Sequence, residues 1–134
     1  MITTGPAVDP ASIDAAPNVT VERYIPHRAL LPDCSLAVTH AGLGVVMAAL
    51  ADGVPLVCIP MGREQHDNAA RVAACGAGVV LSTDAGVSEI GHAIQTVLEA
   101  PEYTAAAKRM AAVMARRNGR DAAVAELEAL VRAA

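Results

Sequence analysis

The stretch from Val38 to Gln65, VTHAGLGVVMAALADGVPLVCIPMGREQ, confines this chain to few folds, because it sets two buried strands and a helix in close succession. Leu36 to Thr39 is a short apolar run with β-branched members, which predicts a buried strand. His40, Ala41, Gly42, Leu43 and Gly44 break that run, and the apolar residues from Leu43 to Ala51 predict a helix after it. Gly53 stands where a helix C-terminus takes a left-handed residue, Pro55 prevents continuation, and Leu56 to Ile59 supplies the next buried strand before Pro60 ends it. A strand, helix and strand in that order form a βαβ crossover, with its turn at the carboxyl end of a strand, where open α/β sheets bind ligands. Two glycines in the turn let backbone pass close to a ligand. The first free N–H groups of the helix, with the positive end of its dipole behind them, face the same space. A phosphate suits such a place.

The 134 residues predict a single domain, 1–134, able to bury a core. Hydrophobic residues are 54% of the chain, yet Phe and Trp are absent and Tyr24 and Tyr103 are the only aromatics, so the core must be built from Ala, Val, Leu, Ile and Met. Close helix packing follows. A net charge of −4 with 10 basic residues argues against nucleic acid as a partner, since backbone phosphates are held by clustered Lys and Arg. The longest apolar run, Leu43–Ala51, is far shorter than the ~18 residues of a membrane span, and no signal-peptide pattern opens the chain. Cys34, Cys58 and Cys75 are odd in number and lack a CxxC pair, which fits small buried residues in a reducing, cytoplasmic setting.

Taken in order, Met1–Thr4 reads as a strand only if another element begins the sheet, which gives the chain the look of a truncated start. Gly5–Pro17 reads as a loop with one helical turn, Val19–Tyr24 as a strand, and Ala29–Leu31 as a short helical turn between Pro26 and Pro32. Beyond the central unit, Glu64–Cys75 predicts a helix and Val79–Leu81 a fifth strand. A helix then opens with Ser88 as N-cap, a second starts at Pro101 and stops at Asn118-Gly119, and a last one is lined by Val124, Leu127, Leu130 and Val131. The expected fold is α/β: a Rossmann-like, doubly wound parallel sheet of about five strands, with a helical tail packed on one side.

With those elements placed, Tyr24-Ile25-Pro26-His27, His40-Ala41-Gly42, Gly53-Val54-Pro55, Pro60 and Glu64-Gln65 resemble the donor-binding signature of family 1, nucleotide-sugar-dependent glycosyltransferases of the GT-B fold. Asn68, Arg71 and Gly76-Ala77-Gly78 extend the resemblance over nearly the whole chain. It implies that Tyr24 stacks on the nucleotide base and that His27 follows it in the base loop. His40 would contact the donor diphosphate beside the Gly42, Leu43, Gly44 and Val45 backbone, and Glu64 and Gln65 would hold sugar hydroxyls. The chemistry agrees with each role, since a ring matches a flat base, an imidazole and a helix N-terminus match a diphosphate, and a carboxylate or amide matches vicinal hydroxyls. Two positions depart from the pattern. Val45 replaces a hydroxyl residue, and Ala48 replaces a Glu that in many members holds the ribose, each a loss of roughly 0.5 to 1.5 kcal/mol of polar contact.

The resemblance implies the donor-binding half of a transferase that moves a hexose or deoxyhexose from a UDP- or TDP-linked sugar to an acceptor hydroxyl on a small molecule or lipid, with inversion. The nucleotide sugar is a substrate, and no cofactor is implied. The acceptor pocket and general base would lie in an N-terminal acceptor domain or subunit that this chain does not contain, so no catalytic residue is expected in it. Two alternatives stay open: a non-catalytic nucleotide-sugar-binding module, and the donor subunit of a two-chain transferase. His66 and Asp67 beside Glu64 match no common metal-ligand spacing, and no metal is expected. His92 reads as surface and Cys58 as core. Apolar surface left by missing opening strands would favour a homo-oligomer.

Overall fold

The computed structural model describes residues 1–116 and 119–132. Five strands form: β1 (Ile2–Thr3), β2 (Val21–Glu22), β3 (Ala37–Thr39), β4 (Leu56–Cys58) and β5 (Gly78–Val80). Every pairing is parallel, but the strands fall into two ladders, β1–β2 and β3–β4–β5, where a single sheet was expected. The reason is visible at β1 and β3, whose edges face each other across a crevice and exchange no ladder bonds. The expected strand at Val19–Tyr24 shrinks to two residues, because pairing with a partner as short as β1 supports no more.

The helices are α1 (His27–Leu30), α2 (Leu43–Ala51), α3 (Gln65–Ala74), α4 (Val87–Glu99), α5 (Pro101–Arg116) and α6 (Gly119–Arg132), with one-turn 3-10 segments at Pro10–Ser12 and Leu31–Asp33. Strand β4 lies between the two cores and is the middle strand of its ladder. Leu56 and Cys58 turn to a core made with Val46, Ala49, Leu50, Ala69, Val72 and Ala107, while Val57 turns to the other face against Ala93 and Val97. Helices α2, α3 and α5 therefore cover one face and α4 the other, the doubly wound arrangement in which a central strand is apolar on both sides. Small side chains make this possible. Burial pushes the Cys58 thiol up from 9.0 to about 11, as a desolvated thiolate demands.

Gly53 has φ +70° and Gly76 φ +71°, so both helix ends at α2 and α3 close with the left-handed residue that the sequence placed there. Two local expectations change. Gly86, not Ser88, occupies the N-cap of α4, with no side-chain cap, so the helix starts one residue before the serine. In the tail, α5 buries Ala106 and Ala107, whereas residues 123–132 on α6 are all exposed. The expected stop at Asn118 lies outside the described residues. Among the described residues no helix is long and apolar enough to cross a membrane.

Candidate functional site

The turn between β3 and α2 is held from below. Ala41 adopts φ +64°, a left-handed conformation that costs an alanine roughly 1–2 kcal/mol, and it is fully buried. Two bonds fix it: the Ala41 N–H donates to Thr39 Oγ1 at 3.3 Å, and Asn68 Nδ2 on α3 donates to the Ala41 carbonyl at 3.1 Å. Asn68, 5% exposed, is the one buried polar side chain among the described residues. The glycines of the turn thus serve a purpose other than positive φ. Gly42 is extended at the N-cap of α2, and a Cβ there would stand 2.7 Å from His40 Nε2, so its missing side chain makes room for the imidazole. Gly44 lies inside the first turn, and a Cβ on it would meet nothing within 4 Å.

Helix α2 begins without a side-chain cap. Its first intrahelical donor is the Val46 N–H, bonded to the Gly42 carbonyl at 3.1 Å, which leaves the N–H groups of Leu43, Gly44 and Val45 without a helical partner. These three donors and the His40 ring stand together at the positive end of the helix. His40 itself is exposed.

From that end a cleft of about 790 Å³ runs along α2. One wall is the segment from Tyr24 to Arg28, and the other is Gly44, Met47, Ala48 and Ala51, which share a helix face at spacings of three and four. The span from Gly44 to Ala51 is about 10 Å at 1.5 Å per residue. Tyr24, 76% exposed, offers its ring to this space. Opposite it the wall is low along the helix, where Gly44, Ala48 and Ala51 are three of the five lining residues, and Met47 and the helix-end Asp52 are the other two. Ala48 presents no carboxylate to the cleft, and the acid that lines it is Asp52 at the far end of α2. Tyr24, His27 and Gly44 thus line one cleft. The Val45 side chain instead lines the crevice between the two ladders, together with one side of His27.

Glu64 and Gln65 open α3 at the end of β4. Gln65 Oε1 accepts from the Met61 N–H at 2.8 Å and the Gly62 N–H at 3.2 Å, which folds the loop back on the helix and leaves Nε2 to donate elsewhere. Glu64 is exposed and caps nothing with its side chain. One helical turn further on, the Asn68 N–H bonds to the Glu64 carbonyl at 3.0 Å, and the Asn68 side chain reaches the turn that carries His40. The pair is thus coupled to the turn before α2 through Asn68, while neither residue lines the cleft itself. Behind the loop, Thr83 Oγ1 donates to the Pro60 carbonyl at 2.8 Å, and the Ser82 hydroxyl bonds to Asp84, which holds that carboxyl below its usual range.

Two residues of the site were given no role by the sequence, although Asn68 lies within the extended resemblance. Asn68 shows itself only as an amide on the side of α3 that also buries Ala69 and Val72, a signal that needs the helix face to be known. Arg28, the cation on the cleft wall, sits between His27 and a helical turn and has no pattern of its own. Among the described residues no three His, Cys, Asp or Glu side chains gather as a metal site would require.

Residues 2–130 match the family model described as "Erythromycin biosynthesis protein CIII-like, C-terminal domain". The chain is 42% identical to 4'-demethylrebeccamycin synthase of Lentzea aerocolonigenes over 124 residues, which is 91% of this chain and 30% of that protein. Its structure superposes on CalG4, the calicheamicin glycosyltransferase, with a TM-score of 0.87 at 32% identity, covering 97% of this chain and 35% of that one. Glycosyltransferase VinC, solved in complex with DTDP, superposes with a TM-score of 0.70 at 29% identity over 73% of this chain and 25% of its own. The chain thus spans about a third of the length of the relatives it matches.

Proposed function

Because the chain belongs to the family of erythromycin biosynthesis protein CIII-like C-terminal domains, we propose that it is the donor-binding part of a glycosyltransferase. The donor is a nucleoside diphosphate hexose or deoxyhexose, TDP- or UDP-linked, and the acceptor is a hydroxyl on a small molecule or lipid, reached in the cytoplasm. The relative solved with DTDP supports a diphosphate ligand, and the low wall at Ala48 is compatible with a nucleoside that lacks a ribose 2'-hydroxyl.

The observation that carries this reading is the uncapped start of α2, with His40 beside it, at one end of a cleft whose other wall is Tyr24. In transfer with inversion, the acceptor oxygen forms a bond to the anomeric carbon while the bond from that carbon to the diphosphate oxygen breaks, and the electron pair leaves with the diphosphate. Charge grows on the departing group. The N–H groups of Leu43, Gly44 and Val45 and the His40 imidazole stand ready for that charge without reorganising, which is where fixed dipoles contribute most. Tyr24 and His27 hold the nucleoside, and Gln65 Nε2 with the Glu64 carboxylate meets sugar hydroxyls. The acceptor and its base belong to the part of the transferase beyond this third.

Calorimetric titration of TDP and UDP into wild type and His40→Ala tests the reading. Loss of a hydrogen bond to a charged group costs about 1.5 to 3 kcal/mol, so the variant should bind either nucleotide roughly 10- to 150-fold more weakly with its circular dichroism unchanged. Equal affinity in the two proteins would return His40 to a structural role.

A further inference from the structure

Ala41 stands between the His40 ring and the start of α2, and its left-handed φ of +64° brings the two together. His40 Nε2 lies 2.7 Å from where a Cβ of Gly42 would be, so the ring rests against the bare side of that glycine. An alanine does not hold such a conformation unaided, because its Cβ then crowds the carbonyl oxygen that follows. The grip comes from a distance: Asn68 Nδ2, twenty-seven residues away on α3, donates to the Ala41 carbonyl at 3.1 Å. The peptide from Ala41 to Gly42 is trans, so its N–H points opposite to its C=O. With the carbonyl drawn toward α3, the Gly42 N–H turns away from α3, and among the described residues no acceptor takes it. Gly42 is half-buried, which leaves that N–H within reach of a ligand.

We propose that Asn68 is a positioning residue for the diphosphate: by holding the Ala41 carbonyl it presents the Gly42 N–H as a fourth donor beside those of Leu43, Gly44 and Val45, under the His40 ring. Asn68 acts through Ala41 and not by touching the ligand, since its Nδ2 is spent on the carbonyl and the residue is 5% exposed. Released from this bond, Ala41 would return to negative φ and rotate the peptide, which carries the Gly42 N–H out of line and His40 off the glycine. The identity of the anion rests on the donor-half reading, whereas the hold of Asn68 on the turn needs no nucleotide. A side chain that only satisfied a buried carbonyl would contribute stability and leave the shape of the turn alone. Position 41 separates the two roles, because a glycine there meets no steric bar to positive φ and has less need of the amide.

Amide NMR spectra of the nucleotide-free chain and calorimetric titration with TDP form the test. Asn68→Ala should shift the His40 and Gly42 amide signals and weaken TDP at least about tenfold, with circular dichroism unchanged. In an Ala41→Gly background the same change at Asn68 should move those signals less and cost at most about threefold, the non-additivity expected when one residue acts through the other. A third measurement uses the unaltered chain and so does not depend on a variant folding. TDP should slow hydrogen exchange at the Asn68 side-chain amide at least about threefold, because a ligand that needs the turn tightens what holds it. Unmoved His40 and Gly42 signals in Asn68→Ala, an equal loss in both backgrounds, or unchanged exchange at Asn68 with TDP bound would overturn the proposal. Should the unaltered chain fail to bind TDP while the signals shift in Asn68→Ala and shift less beside Gly at position 41, the donor-half reading falls and the hold of Asn68 on the turn stands.

Discussion

At the scale of single residues, Gln65 shows how one side chain serves two ends. Its Oε1 is committed to the Met61 and Gly62 amides, so its Nε2 is the part free to meet a ligand. Met61 is exposed and Gly62 half-buried, so water replaces the lost acceptor at little cost when Gln65 is shortened. Gln65→Ala should therefore cost a TDP-sugar about 1 kcal/mol while bare TDP binds as before, measured by titrating both ligands into both proteins. A parallel loss for the two ligands would mean that the residue only shapes the loop. Legibility in the sequence differed residue by residue for a physical reason. Tyr24, His27 and Gly42 stand in motifs that carry the family resemblance, and Gly44 follows in the same turn; in the structure Tyr24, His27 and Gly44 line the cleft along α2 and Gly42 is the N-cap of that helix. Ala41 and Asn68 also fall within the resemblance, but their dependence on each other across twenty-seven positions, a left-handed alanine held by a distant amide, leaves no local pattern.

Among the elements, strand and helix identity followed from period and punctuation, while pairing did not. The apolar runs at Leu36–Thr39 and Leu56–Ile59 mark buried strands whichever neighbours they take, so β3 and β4 were legible and the division into two ladders was not. The α4 start shifted because an extended glycine competes with serine for the N-cap without a side-chain bond to announce it. Strand β4 also carries a titratable consequence. The Cys58 thiol rises to about 11 in the fold from 9.0, so the folded state holds its proton more tightly than the unfolded chain does. Its contribution is fully present below pH 9 and is lost as the pH rises from about 9 to about 11, by on the order of 3 kcal/mol at one unit per 1.36 kcal/mol. Urea unfolding across that range should show the decline in wild type and a shallower one in Cys58→Ala, after allowance for the variant's lower baseline stability.

For the molecule as a whole, about a third of the relatives' length is enough for a doubly wound core and a cleft along α2. Under the proposed function, which assigns the acceptor and its base elsewhere in the transferase, the 134 residues alone should bind a nucleotide sugar and transfer none of it. Sugar transfer to any acceptor above the rate of donor hydrolysis in buffer would contradict this. A core made of alanine, valine and leucine has one more effect, on light. With no tryptophan, all ultraviolet emission comes from two phenols in unlike settings, Tyr24 open on the cleft wall and Tyr103 packed against the β4–α4 face. A base stacked on Tyr24 should quench that emission and spare the Tyr103 signal, and Tyr24→Ala should leave a fluorescence that TDP no longer changes. The chain thus carries its own optical gauge of cleft occupancy, with a built-in reference on the opposite side of the sheet.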